Sequence, residues 1–336
     1  MRRRTVLAGL GAAGLGAAGL GGLAACGRRA ATPSGLTRVR FVTDWKAQAE
    51  HGGFYQALAD GEYRRRGLDV QIIPGGPGVN VPQLLASGAA DLGMGSDNFI
   101  VMKLVQEKAP LQAVAAFFQK NPQVLIAHAD PAVRTLADLK GHPILISAAA
   151  RDSFWPWLKA RYGYTDDQVR TYNFSSAPFL ADPRAAQEGY LTSEPYTIEK
   201  ATGVRPKVFL LADEGYPSYA AMVLAPQSWI TGKPEIVRRF VQASAAGWTR
   251  FADGDASAAR ALILKDNPEM TGDLFDQARA QLKAHGIIDG GDAARLGVGA
   301  MTDARWKRFF DTASSQGLYP GSLDWRRAYT LAFLKS

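Results

Sequence analysis

Residues 43–57, Thr43-Asp44-Trp45-Lys46-Ala47-Gln48-Ala49-Glu50-His51-Gly52-Gly53-Phe54-Tyr55-Gln56-Ala57, place a carboxylate, an indole, an imidazole and a glycine pair in one connection. Arg38 to Val42 before it alternates polar and apolar residues, whereas Phe54, Ala57 and Leu58 after it recur at helical spacing. Asp44 to Gly53 is therefore expected as a turn from strand to helix. In an open α/β sheet such a turn lies at the carboxyl end of the strand, where ligands bind. A surface loop whose Trp45 packs on its own domain is the plainer alternative.

The same alternation continues outward. Asp69 to Ile73, Asp91 to Met94 and Leu111 to Phe118 are strand-like, and Val81 to Ala86 and Phe99 to Gln106 are helical. Such alternation predicts βαβ units on a largely parallel sheet. Pro74-Gly75-Gly76-Pro77-Gly78 is too rich in glycine and proline for regular structure. In Gly93-Met94-Gly95-Ser96-Asp97-Asn98 small and polar residues fall where a strand hands over to a helix. Ser96, Asp97 or Asn98 would cap that helix, and its free N–H groups with Gly95 could also meet a ligand.

A second α/β unit begins with the strand Gln123 to Ala127, the capped turn Thr135 to Gly141 and the strand Pro143 to Ser147. Trp155 and Trp157 open the next helix, with Trp155 expected in a cleft and Trp157 in a core. A strand ending at Ser193 leads to Glu194 and Pro195 at a helix start, the first turn being a position that suits proline. There Glu194 either caps the helix or faces a ligand. After the strand-like Tyr219 to Leu224, amphipathic helices are expected over Pro234 to Phe251, Ala256 to Leu264, Thr271 to His285, Asp303 to Gln316 and Trp325 to Leu334. Residues 37–120 with 225–336 would form one lobe and 124–218 the other. Crossings near Gln119 to Gln123 and Pro217 to Leu224 would gather residues 44–53, 95–98, 155 and 194 around one cleft, as in a closing ligand trap.

The beginning of the chain has a different character. Arg2, Arg3 and Arg4 precede an uncharged run from Val6 to Ala25, which is expected to be an export signal of the Sec or twin-arginine type. Its Gly9-Leu10-Gly11-Ala12-Ala13-Gly14 has dinucleotide-loop spacing, but no strand precedes it, so that function is rejected. Cys26, the single cysteine, follows Leu23-Ala24-Ala25. This resembles a lipobox, which would acylate Cys26 and make 26–36 a tether to a membrane surface. One cysteine excludes a disulfide framework.

The formal charge of +8 falls to +5 without Arg2, Arg3 and Arg4, which is mild for 336 residues. The densest basic run, Arg64-Arg65-Arg66, sits before Gly67 at a helix end, where cations favour the dipole. No nucleic-acid partner is expected. His51, His128, His142 and His285 are dispersed, and G-x-S-x-G, Walker A and H-E-x-x-H motifs are absent. No enzyme activity, metal or cofactor is expected.

The stretches DWKAQAEHGGFYQA (44–57), GEYRRRGLDV (61–70), GMGSDN (93–98), TLADLKG (135–141) and YLTSEPY (190–196) resemble the solute-binding proteins of ABC importers. They resemble most the branch that binds thiamine pyrimidine precursors, related to nitrate, taurine and alkanesulfonate receptors. The resemblance implies a type II periplasmic binding protein fold and a monomer that delivers a small-molecule solute to an ABC permease and its ATPase. It places ligand contacts on Asp44, Trp45, His51, Gly95, Ser96, Asp97, Asn98 and Glu194. The aromatic residues Trp45, Trp155, Tyr196 and Tyr219 suit a planar heterocycle. A sulfonate or nitrate receptor would want a buried cation, for which Arg151 is the candidate. A third possibility comes from a fungal relative in this branch, which forms the pyrimidine from its own histidine with iron. That relative's cysteine-rich motif is absent here.

Overall fold

The computed structural model describes residues 35–334. The export signal, the acylation of Cys26 and most of the tether expected from the sequence lie outside the described residues. Two five-stranded mixed sheets organise the rest. The first has the order β2-β1-β3-β10-β4, from β1 (Thr37–Val42), β2 (Leu68–Ile73), β3 (Leu92–Asp97), β4 (Leu111–Phe118) and β10 (Ala220–Pro226). The second has the order β7-β6-β8-β5-β9, from β5 (Gln123–Ala127), β6 (Ile144–Ile146), β7 (Val169–Thr171), β8 (Ala186–Tyr190) and β9 (Lys207–Leu210).

The register shows what lies between them. The chain leaves the first sheet after Phe118 and enters the second at Gln123, then returns from Leu210 to Ala220. Each incoming strand is antiparallel to its neighbours: β10 pairs Ala220 with Asp97, and β5 pairs Gln123 with Tyr190. The carboxyl ends of β3 and β8 therefore both lie beside the crossings, so the loops after the parallel strands of the two sheets face each other. That is the place where open α/β sheets bind ligands.

Close packing fixes the first of these loops. The helix Gly52–Ala59 lies directly on the long helix Pro234–Asp253, and a Cβ on Gly247 would fall 2.2 Å from the Gly53 carbonyl oxygen. Gly53 is equally confined, since a Cβ there would lie 2.0 Å from the Trp248 ring. Phe54, Trp248 and Phe251 pack edge to face around this crossing. At the other side of the loop, Gly75 donates its N–H to the Trp45 carbonyl (3.0 Å) and to Thr43 Oγ1 (3.1 Å). A Cβ on Gly75 would approach the Thr43 carbonyl oxygen to 2.4 Å, which explains a glycine in the irregular turn after β2.

The other C-terminal helices, Ser257–Asp266, Gly272–Ala284 and Asp303–Ser315, fall close to their expected spans. Trp325 to Leu334 does not form the helix expected there. Only Trp325–Ala328 makes a 3-10 turn, and Tyr329 then runs extended and bridges to Ala113 of β4. The strand expected to end at Ser193 is also shifted, because β8 ends at Tyr190 and residues 191–193 turn into the helix Glu194–Thr202. Among the described residues no helix is long and apolar enough to cross a membrane.

Candidate functional site

Asp44 follows β1 and Ser96 stands near the end of the neighbouring β3, so the parallel register brings them together. Ser96 Oγ donates to Asp44 Oδ2 at 2.5 Å, and His51 Nε2 lies 3.3 Å from Asp44 Oδ1. His51 is buried, and its Nδ1 has no partner. Glu50, one residue earlier, is buried too and accepts a hydrogen bond from Thr192 Oγ1 of the opposite sheet's loop.

Asp97 closes β3 and caps the helix Asn98–Gln106 by accepting from the Ile100 N–H (3.1 Å), while Tyr216 donates to its other oxygen (3.3 Å). Burial lifts the Asp97 carboxyl to about 6. Asn98 faces the second crossing. Its Oδ1 accepts from the Tyr219 N–H (3.0 Å), its own N–H donates to Ser218 Oγ (3.0 Å), and its Nδ2 has no partner.

The second sheet contributes more carboxyls. Glu194 turns back to accept the Tyr190 N–H at 2.8 Å and, more weakly, the Tyr172 hydroxyl at 3.5 Å. Glu188 accepts the Ser147 N–H at 3.0 Å. Burial raises both, Glu188 to about 7, with Glu194 adding to the rise of Glu188. Glu50 is raised by burial as well. Tyr190 is held well above the ordinary tyrosine range, first by burial and then by Asp44, Asp97, Glu50 and Glu194. One phenol thus stands within electrostatic reach of carboxylates from both sheets.

At the mouth, Trp45 meets Phe174 across the gap with ring centroids 4.7 Å apart, and Tyr172 backs Phe174 at 5.4 Å. Phe174 is 51% exposed and takes φ +58°, a left-handed conformation uncommon for an aromatic residue. Further contacts draw the two halves together at the edges. Tyr196 and Lys200 meet Asp273 on one side, and Lys103 lies 3.6 Å from Asp152 on the other.

Asp44, Trp45, His51, Ser96, Asp97 and Glu194 therefore gather in the cleft, and Asn98 borders it at the second crossing. Gly95 differs from the turn expected of it: it lies inside β3, paired with Met222 and packed on Leu224. Three aromatic residues expected to face a ligand also lie elsewhere. Trp155 is buried beside Tyr164, and its indole N–H donates to Asp166 at 2.8 Å. Tyr219 is fully buried, donates to Asp292 at 2.5 Å and accepts the Thr302 N–H, with the Arg305 guanidinium 4.0 Å from its ring centroid. Tyr196 sits at the rim on Asp273. Arg151 is exposed and hydrogen-bonds none of the cleft carboxylates.

Glu50, Tyr172, Phe174, Glu188, Tyr190 and Thr192 were not anticipated as a cluster. Glu50, Tyr190 and Thr192 stand in stretches already singled out, so their position was signalled although their role was not. Tyr172 and Phe174 follow β7, which is only three residues long and leaves no period to detect. Among the described residues no group of three or more His, Cys, Asp or Glu is arranged to hold a metal ion.

Known proteins resemble this chain over most of its length. It is 26% identical over 311 residues, 89% of this chain and 86% of the relative, to the riboflavin-binding protein RibY of Chloroflexus aurantiacus. It is 24% identical over 259 residues, 72% of this chain and 74% of the relative, to the formylaminopyrimidine-binding protein of Halalkalibacterium halodurans. Its fold matches that of the periplasmic aliphatic sulphonate binding protein SsuA of Escherichia coli, with TM-score 0.61 and 17% identity over 87% of this chain and 92% of that one. The desulfurization enzyme DSZB has the same fold, with TM-score 0.55 and 15% identity over 88% and 97% of the two chains. Residues 48–256 match the family model described as NMT1/THI5 like, and with the two-sheet periplasmic binding protein fold this shows that the chain belongs to the NMT1/THI5-like family of ligand-binding proteins.

Proposed function

We propose that the cleft between the two sheets captures a small planar heterocycle bearing N–H donors, either a thiamine-related pyrimidine precursor or a flavin, for delivery to an ABC permease. The observation that carries this reading is the pairing of an aromatic mouth, Trp45 with Phe174, with an interior of carboxyl and hydroxyl acceptors. Such a ring offers flat faces for stacking and edge N–H groups for Asp44 and Glu194 to accept. The printed names of the two relatives, one binding riboflavin and one formylaminopyrimidine, point to the same chemical class. Among the described residues no lysine or arginine pairs with Asp44, Glu50, Asp97, Glu188 or Glu194, which disfavours a sulfonate or nitrate ligand. Residues 37–120 with 225–336, and 124–218, would move as two lobes about the crossings. Export and an acylated Cys26 would keep the protein at a membrane surface in the periplasm, and the carrier role needs no turnover.

Calorimetric titration with riboflavin, formylaminopyrimidine and a short alkanesulfonate tests this. One of the two heterocycles should bind, and Glu194→Gln should weaken that binding at least about tenfold, as expected for loss of a charge-assisted hydrogen bond. Binding of the sulfonate with neither heterocycle bound would refute the proposal.

A further inference from the structure

We infer that this cleft selects the unphosphorylated form of its heterocycle and refuses a phosphate monoester of the same ring. The inference rests on the ligand class proposed above, and it follows from the buried carboxyls that crowd the cleft without a lysine or arginine partner among the described residues.

A helix amino terminus ordinarily offers free N–H groups and a partial positive charge to an anion. Here the chain itself places carboxyls beside the helix starts that border the cleft. Asp97 caps the helix Asn98–Gln106. Glu194 is the first residue of the helix Glu194–Thr202 and takes the Tyr190 N–H that precedes it. Glu188 takes the Ser147 N–H before the turn Ala148–Arg151. Glu50 lies in the 3-10 turn that runs into the helix Gly52–Ala59. A phosphate entering this space would meet buried carboxylates that repel it.

Among the described residues no lysine or arginine pairs with these carboxyls. Lys46 is engaged by Glu269 at 2.5 Å, Lys103 faces Asp152 at the rim, and Arg305 is held behind Tyr219 by the carbonyls of Gln119 and Ser218. The upward displacement of Glu50, Asp97, Glu188 and Glu194 is the direction expected where buried carboxylates lack a counter-charge. Of the buried side-chain nitrogens without a partner, His51 Nδ1 and Asn98 Nδ2 lie at the cleft, and the Asn98 amide suits a carbonyl or ring nitrogen.

The test compares riboflavin with its 5′-phosphate, and a hydroxymethyl aminopyrimidine with its phosphate monoester, by titration at pH 5 and pH 8. The unphosphorylated member of the pair that binds should be favoured at least about a hundredfold at pH 8. At pH 5 the gap should shrink about tenfold or more, because the phosphate is then a monoanion and the cleft carboxyls take up protons. Equal or tighter binding of the phosphate ester overturns the inference and leaves the heterocycle reading standing. A gap of the same size at both pH values also overturns it, because exclusion would then be steric. If no member of either pair binds, the heterocycle reading fails and this inference fails with it.

Discussion

Replacing Thr192 by valine keeps the shape of a fully buried side chain and deletes a hydroxyl that joins the two halves of the protein in the cleft. Thr192 Oγ1 donates to Glu50 Oε1, and both residues are buried. If the halves separate as proposed, water can replace this bond, and its loss then acts on the closed arrangement alone. A hydrogen bond to a charged acceptor contributes about 1.5–3 kcal/mol. Burial raises the Glu50 carboxyl, and the cost is taken at the low end of that range, about 1.5 kcal/mol. That corresponds to about a tenfold fall in the closed population relative to the open one. If ligand binds only the closed form and the free protein is mainly open, apparent affinity falls by the same factor. Calorimetry of the parent and Thr192→Val with the bound heterocycle measures it directly, and small-angle scattering at saturating ligand should give the same radius of gyration for both. Affinity within about twofold of the parent would refute a closing role for the Glu50–Thr192 contact.

Three further outcomes follow from the same geometry. Trp45→Ala should weaken ligand binding about tenfold or more through lost stacking, with unliganded stability changed by less than about 1 kcal/mol because the indole is only partly buried, both measurable by titration and urea unfolding. Arg305→Met should lower unfolding stability by about 2–4 kcal/mol in urea, because it removes the cation over Tyr219 and leaves the Gln119 and Ser218 carbonyls at both crossings without their donor. Asp97 at about 6 and Glu188 at about 7 lie above their unfolded values, so the folded state holds protons that the unfolded chain releases. Their stabilisation is complete below about pH 4 and is lost as pH rises to about 7, at most on the order of 3 kcal/mol each. The lowered exposed carboxyls, Asp138, Asp166, Asp255 and Asp273, act only at more acidic pH, so the ligand-free protein should melt at a higher temperature at pH 5 than at pH 8.

The parts of the fold that could be read from the sequence are those where local periodicity and tertiary position agree. Leu111–Phe118 and Gln123–Ala127 fall on their expected spans because both are apolar runs ended by polar residues at the first crossing. In the second sheet β7, β8 and β9 are short, and β8 carries Gln187 and Glu188 buried among polar partners, so no hydrophobic period marks them. The aromatic residues show the same limit. Trp45 and Trp155 both stand near the start of a helix, yet one reaches Phe174 across the cleft and the other turns inward to Asp166. The direction of Tyr219 depends on Asp292 and Arg305, far along the chain, which no local pattern contains. Trp325 to Leu334 has helical spacing, but its extended pairing with β4 prevails over that local tendency.

A crystal structure grown with the heterocycle that binds would test the central claim most directly. The account predicts the ring in the cleft between the two sheets, with the Trp45 indole within about 4 Å of its face and a ring or exocyclic N–H donating to Asp44 or Glu194. A ligand seated outside the cleft, or an anion in the cleft held by backbone N–H groups with Asp97 and Glu194 turned away, would contradict it.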